Sequence, residues 1–193
     1  MKPVAYLDVI ARPGGEVTLH DVMSFIVQQL HHASRHGKVA LAFPSMGKKP
    51  GLGDFIRAFA EDIETLNQVS DFLAANPRVD EYALVRRPKP VPEGITEYES
   101  FNYYRLSHGL SDARRNRLGD HGERLQAFNM EARSKRADRM NAKSDIAFAT
   151  IYSSTTRSQF RLHVERRPCV YSEGEPNGYG LSRKNQVMAI PVF

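Results

Sequence analysis

The sequence predicts an α+β protein with antiparallel sheets, and three observations predict it. The first half alternates segments of period two with segments of helical period in the order strand, helix, strand, strand, helix, strand. A proline-rich bend at Pro88, Pro90 and Pro92 then leads into a basic stretch of helical character. The tail returns to strand-like sequence. The opening order is that of a ferredoxin-like unit, in which two helices cover one face of an antiparallel sheet.

Tyr6 to Ile10 alternates apolar and polar residues, as a half-buried strand does. Thr18 offers an N-cap, and Leu19, Val22, Met23, Ile26, Val27, Leu30 and Ala33 recur on one helical face until Gly37. Val39 to Phe43 is a short buried strand closed by Pro44, and Leu52 to Phe59 is the next strand. Asp62 to Ala74 is a second helix with Ile63, Leu66, Val69, Phe72 and Leu73 inward, stopped by Asn76-Pro77. Tyr82 to Val85 supplies the fourth strand. Beyond the bend, Tyr98 to Leu106 is strand-like, and Ser111 with Asp112 opens a basic helix, interrupted near Gly119 and Gly122 and resumed to about Met140. Ile146 to Tyr152, Gln159 to Val164 and Val187 to Val192 complete the strands. This organisation divides the chain into a ferredoxin-like N-terminal domain, 1–95, and a C-terminal domain, 96–193, with the basic helix and antiparallel strands.

Composition narrows the function classes. At 41% hydrophobic and 25% charged residues the chain is an ordinary globular protein. It has no apolar run near the ~18 residues of a membrane span, and Met1 to Asp8 lacks the uninterrupted apolar stretch of a signal peptide. The expectation is a cytoplasmic protein without membrane contact. The single cysteine, Cys169, rules out an internal disulfide and a multi-cysteine zinc site, and it reads as a strand or turn packing position. No compact group of His, Asp and Glu suggests a two-metal site, so no metal or cofactor is expected. Between Arg105 and Lys143 ten Lys and Arg face five acids, while the rest of the chain balances at seventeen of each, so this segment holds the whole net charge of +5. Localised positive charge suits a polyanion, since each phosphate neutralised releases a counterion; a solvated, ion-paired helix face would also account for it.

Two C-terminal runs carry chemistry. Ser153-Ser154-Thr155-Thr156-Arg157-Ser158-Gln159-Phe160-Arg161 joins a cluster of hydroxyls to an aromatic residue close to arginine, and Gly178-Tyr179-Gly180-Leu181-Ser182 is a tyrosine between glycines that let backbone approach a ligand. With them come Met23-Ser24 leading to Leu30-His31, Leu52-Gly53-Asp54 followed by Ile56-Arg57, and the pair Arg114-Arg115. In this order and spacing the segments resemble the repeat-RNA endoribonuclease of type I-F CRISPR systems, which cuts the precursor transcript beside each repeat hairpin and keeps the product.

The resemblance implies roles residue by residue. His31 corresponds to the catalytic histidine. It lies about 100° around the helix from Leu30, at the edge of the buried face, where on local sequence alone a histidine is more readily a partly exposed surface residue, and His32 and His36 are its rivals. Ser153 corresponds to the serine that holds the reacting ribose, and Tyr179 to a tyrosine beside the catalytic site; on its own terms Tyr179 is a turn residue with an exposed ring. Thr155 and Thr156 correspond to hydroxyls on phosphate or ribose. Phe160 corresponds to an aromatic stacked at the foot of the hairpin, though a strand phenylalanine is as readily core. Arg114, Arg115 and Arg117 fall in register with an arginine-rich helix in the stem's groove, diluted here by Asn116 and Leu118. Asn102 with Tyr104 or Arg105 stands where the family reads base edges. The implied reaction is attack by the ribose 2′-hydroxyl on the adjacent phosphate, without metal, leaving a 2′,3′-cyclic phosphate. The implied partners are the CRISPR repeat hairpin RNA and the other protein subunits of the type I-F surveillance complex. Two rivals use the same motifs: a hairpin-binding structural subunit that does not cleave, and a ferredoxin-like regulator that binds DNA or unstructured RNA.

Overall fold

The computed structural model describes residues 1–104, 145–183 and 185–193. The chain is an α+β protein built on two antiparallel sheets. β1 (Ala5–Ala11), α1 (Leu19–Ala33), β2 (Ala40–Ala42), β3 (Phe55–Ala60), α2 (Ile63–Ala74) and β4 (Ala83–Val85) follow the expected strand and helix order, and the first sheet runs β2-β3-β1-β4. All of its neighbours are antiparallel. Alternation along β1 places Ala5, Leu7, Val9 and Ala11 in the core. The second sheet, in the order β7-β8-β6-β9, consists of β6 (Tyr98–Tyr103), β7 (Ile146–Ser153), β8 (Ser158–Cys169) and β9 (Ile190–Pro191).

Helix α1 begins at Thr18 with a reciprocal capping box: the hydroxyl accepts from the Asp21 amide at 3.2 Å, and the Asp21 carboxylate accepts from the Thr18 amide at 3.2 Å. Val22, Met23, Ile26, Val27, Leu30 and Ala33 form its buried face. α2 starts at Asp62, whose carboxylate accepts from the Thr65 amide.

Several boundaries differ from the sequence expectation for identifiable reasons. Asn76-Pro77 ends α2 but also opens α3 (Pro77–Tyr82), with Asn76 capping the Arg78 amide at 3.1 Å and Pro77 in the first turn, where no N–H is needed. The proline bend contains a further short strand, β5 (Lys89–Pro90), paired with Ala5 and Tyr6 of β1. β3 starts at Phe55 because Leu52 to Asp54 forms a turn, with Gly53 at φ +85° and the Ser45 hydroxyl donating to Asp54 at 2.6 Å. β8 continues to Cys169 because it pairs with β7 on one side and β6 on the other. Of Val187 to Val192, Ile190–Pro191 alone forms a ladder. The Met188 amide goes to the Ser182 hydroxyl at 3.1 Å and that of Ala189 to the Ser172 carbonyl at 3.0 Å. The basic helix expected from Ser111 to Met140 lies outside the described residues, as does the end of the strand expected at Leu106.

One contiguous hydrophobic core reaches into both sheets, with Phe43 beside β2 and Phe101 of β6 in edge contact at 5.7 Å. Cys169 is half-buried at the end of β8, and burial pushes its thiol pKa up, away from a reactive thiolate.

Candidate active site

Helix α1 lies along the free edge of β7 and supplies hydrogen-bond partners that a neighbouring strand would have given. Ser24 Oγ accepts from the Thr150 amide at 2.9 Å, and Gln28 brackets Tyr152, accepting from its amide at 3.3 Å and donating to its carbonyl at 3.1 Å. Four helical residues advance about 6 Å, close to the roughly 6.7 Å of two strand residues, so positions 24 and 28 stay in step with 150 and 152. The same progression carries His31 and Ser153 toward one end of the helix–strand pair.

His31 is half-buried there, and its Nδ1–H donates to the carbonyl of Gly178 at 2.5 Å. A carbonyl can only accept, so the proton of a neutral ring sits on Nδ1 and Nε2 carries the lone pair. The imidazole also stacks on Tyr179, with ring centroids 4.2 Å apart and 26° between planes. Neither contact is made by His32, which is exposed, or by His36, whose ring lies 5.8 Å from Phe72. The His32 pKa is held below the ordinary imidazole value by partial desolvation, then by the charges of His31 and Arg35.

The tyrosine loop is fixed by its own chemistry. Asn177 Oδ1 accepts from the amides of Tyr179 (2.8 Å) and Leu181 (3.2 Å), and the Gly180 carbonyl accepts from the Leu41 amide of β2 at 2.8 Å. Gly180 has φ +73°, and a Cβ there would lie 2.6 Å from Leu41 Cγ, so both conformation and space demand glycine. Gly178 is different, since a Cβ would lie 3.8 Å from His31 Cε1, an ordinary contact. Tyr179 is half-buried, and its phenol pKa is raised by burial and then by the neighbouring Tyr103.

Ser153 and Ser158 close the β7–β8 hairpin, whose turn has Arg157 at φ 51°. Ser153 Oγ accepts from the Thr156 amide at 3.2 Å, and the hydroxyls of Thr156 and Ser158 are 2.7 Å apart. Thr155 and Thr156 are exposed on this turn. Phe160 is half-buried and meets Tyr179 edge-on at 6.0 Å, so the phenylalanine, the tyrosine and His31 form one row of rings. What the elements bring together is an oriented imidazole, a phenol, an aromatic wall and a hydroxyl-rich turn.

A family model described as "CRISPR-associated protein (Cas_Csy4)" matches residues 6–193, a span that includes both sheets, α1 and the tyrosine loop. The chain belongs to the Csy4 family. It is similar to the "CRISPR-associated endonuclease Cas6/Csy4" of Pseudomonas aeruginosa (strain UCBPP-PA14), with 28% identity over 188 residues, 92% of this chain and 95% of that one.

The remaining candidates of this Csy4-family chain lie around β6. Asn102 is half-buried, and its amide nitrogen donates to Ser100 Oγ at 3.0 Å. Tyr104 is half-buried, with its backbone amide donating to the His163 carbonyl at 2.9 Å. Arg105, Arg114, Arg115 and Arg117 lie outside the described residues. Two supporting residues were missed by sequence reasoning. Asn177 has a signal, the Pro-Asn-Gly turn before Tyr179. Gln28 has none, being one polar residue of a helix. Among the described residues no cluster of three or more His, Cys, Asp and Glu could hold a metal ion, and no helix is long and apolar enough to cross a membrane.

Proposed function

We propose that this chain is the endoribonuclease that cuts CRISPR precursor RNA beside the repeat hairpin, by attack of a ribose 2′-hydroxyl on the adjacent phosphate. The observation that carries this reading is His31, pinned through Nδ1 to Gly178 and stacked on Tyr179, so that Nε2 is the nitrogen left to exchange protons. In the neutral ring Nε2 takes the proton of the 2′-hydroxyl. The 2′-oxygen bonds to phosphorus, the bond to the 5′-oxygen breaks, and the leaving oxygen takes up a proton. The products are a 2′,3′-cyclic phosphate and a 5′-hydroxyl. The nucleophile belongs to the RNA, so the reaction asks the protein for proton transfer and positioning, and no metal is assigned to it.

Ser153 holds the reacting ribose and Tyr179 keeps the imidazole in its plane. Thr155 and Thr156 contact phosphate or ribose, and Phe160 stacks at the foot of the hairpin. Asn102, Tyr104, Arg105, Arg114, Arg115 and Arg117 contact the stem and its bases. Residues 1–95 supply the histidine and 96–193 the hairpin-binding surface. In the cytoplasm the protein stays on its cut hairpin as a subunit of the type I-F surveillance complex.

The test is cleavage of a synthetic repeat hairpin in excess chelator. The wild type is expected to cut. His31→Ala should cut about 10²–10⁴-fold more slowly while binding the hairpin as before, and deoxyribose at the cut site should abolish cleavage. Tight binding without cleavage by the wild type would leave a structural hairpin-binding subunit in place of the enzyme. Equal competition by duplex DNA and the hairpin at fixed salt would leave a general nucleic-acid binder.

A further inference from the structure

On the reading just given, Phe160 and Tyr179 mark the side of His31 that faces the foot of the hairpin. Beyond His31 along the chain, the end of α1 and the 3₁₀ turn after it carry side chains with no assigned part in that reading. The ring of His32, exposed, has its centroid 5.8 Å from that of His31. One turn further, in the 3₁₀ turn Ser34–His36, the exposed Arg35 lays its guanidinium over the ring of Phe72 on α2 at 4.9 Å, and the ring of His36 lies beside the same phenylalanine.

A guanidinium resting on an aromatic face has lost part of its side-chain freedom before any ligand arrives, so less entropy remains to be lost when it takes a phosphate. The carbonyl end of a helix is by itself a poor place for an anion, because the helix dipole is negative there. Here the Ser34 hydroxyl donates to the His31 carbonyl at 2.7 Å, Arg35 adds a fixed positive charge, and the acid Glu175 close by is tied to Lys38 at 2.6 Å. Basic groups interleaved with exposed rings are what a flexible single strand needs: charge for its phosphates and flat faces for its bases.

We infer that the end of α1 is a second RNA subsite, binding the single-stranded nucleotides beyond the scissile phosphate, with Arg35 on a phosphate and His32 against the nucleotide next to the cut. This rests on the endoribonuclease reading. The segment bound here is the one that leaves with the new 5′-hydroxyl, so the subsite aids capture of the long precursor and contributes nothing to retention of the cut hairpin.

The experiment uses two hairpin RNAs made uncleavable by deoxyribose at the cut site, one ending a single nucleotide beyond it and one continuing for about six unpaired nucleotides, enough to pass one helical turn. The wild type should bind the longer RNA about fivefold more tightly at low salt, equivalent to about 1 kcal/mol. Arg35→Ala should erase that advantage, reduce the dependence of log K on log salt by about 0.7, the share of one neutralised phosphate, and bind the shorter RNA as the wild type does. Arg35→Lys should retain most of the advantage. Equal wild-type affinity for the two RNAs overturns the inference, and so does an Arg35→Ala variant that weakens both equally. If the ribose version of the shorter RNA is bound but not cut, the endoribonuclease reading fails while the flank comparison still decides the subsite; if it is not bound, both fail.

Discussion

The Nδ1 atom of His31 is committed to a peptide carbonyl, and that commitment decides what its other nitrogen can do. Tyr179 stacks on the same ring, and its phenol pKa lies above the ordinary tyrosine value because of burial first and Tyr103 second. The fold therefore favours the protonated phenol. Its contribution to stability is fully present below the unfolded tyrosine pKa near ~10 and is lost as pH rises through the higher folded value. Tyr179→Phe keeps the stack and removes the titration. With pH 8 as the reference, denaturant midpoints should show the wild type losing stability relative to this variant as pH rises above roughly 10; a difference independent of pH would mean that the phenol is not desolvated in solution. The sequence offered His31, His32 and His36 on nearly equal local terms. What separates them is Gly178, 147 residues away, and no local pattern encodes that contact. Ser153, Thr155, Thr156 and Phe160 could be picked out through their hydroxyl and aromatic pattern, but the edge contact of Phe160 with Tyr179 needed the fold.

At the scale of elements, the site depends on two junctions: α1 against the edge of β7, and the tyrosine loop against β2. The second makes a paired prediction. Gly180→Ala meets a positive φ, costing about 1–2 kcal/mol, and a contact with Leu41 Cγ at 2.6 Å on top of it. It should lower stability by more than that amount and slow cleavage by moving the Gly178 carbonyl. Gly178→Ala should be tolerated, since its Cβ meets His31 at an ordinary 3.8 Å. Urea unfolding and cleavage rates of the two variants check the pair, and equal effects would contradict the loop geometry. The helices were legible because capping residues and the buried stripe agreed, as at Thr18 and along Val22 to Ala33. α3 was not, because Asn76-Pro77 reads equally as the end of one helix and the start of another. Val187 to Ala189 was misread as strand because apolar residues predict burial, which Met188 and Ala189 have and the exposed Val187 does not; the backbone partners of Met188 and Ala189 are a serine side chain and a distant carbonyl.

Across the whole molecule, the order of strands and helices along the first half followed from its sequence periods, while the seam between the N-terminal and C-terminal parts of the chain did not, since residues far apart in sequence make it. Arg57 of β3 is one of them. It pairs with Asp8 through Nε (2.7 Å) and Nη2 (3.0 Å), donates from Nη1 to the Phe193 carbonyl at 2.8 Å, and lies over the Phe193 ring at 4.2 Å. Arg57→Ala strands the mostly buried Asp8 and takes one partner from Phe193, whose ring still meets Tyr6 and Phe59, so stability should fall by about 2–3 kcal/mol, below the cost of breaking a fully buried pair. A loss under about 0.5 kcal/mol in urea unfolding would place Arg57 with ordinary surface residues. The bond from His31 to Gly178 spans the same seam, and it has a consequence for how the protein is made. A ribosome emits α1 well over a hundred residues before the tyrosine loop. The nascent chain therefore carries its histidine without the carbonyl that fixes the tautomer until Gly178 has emerged, and a nuclease held at a polysome stays blunt until then.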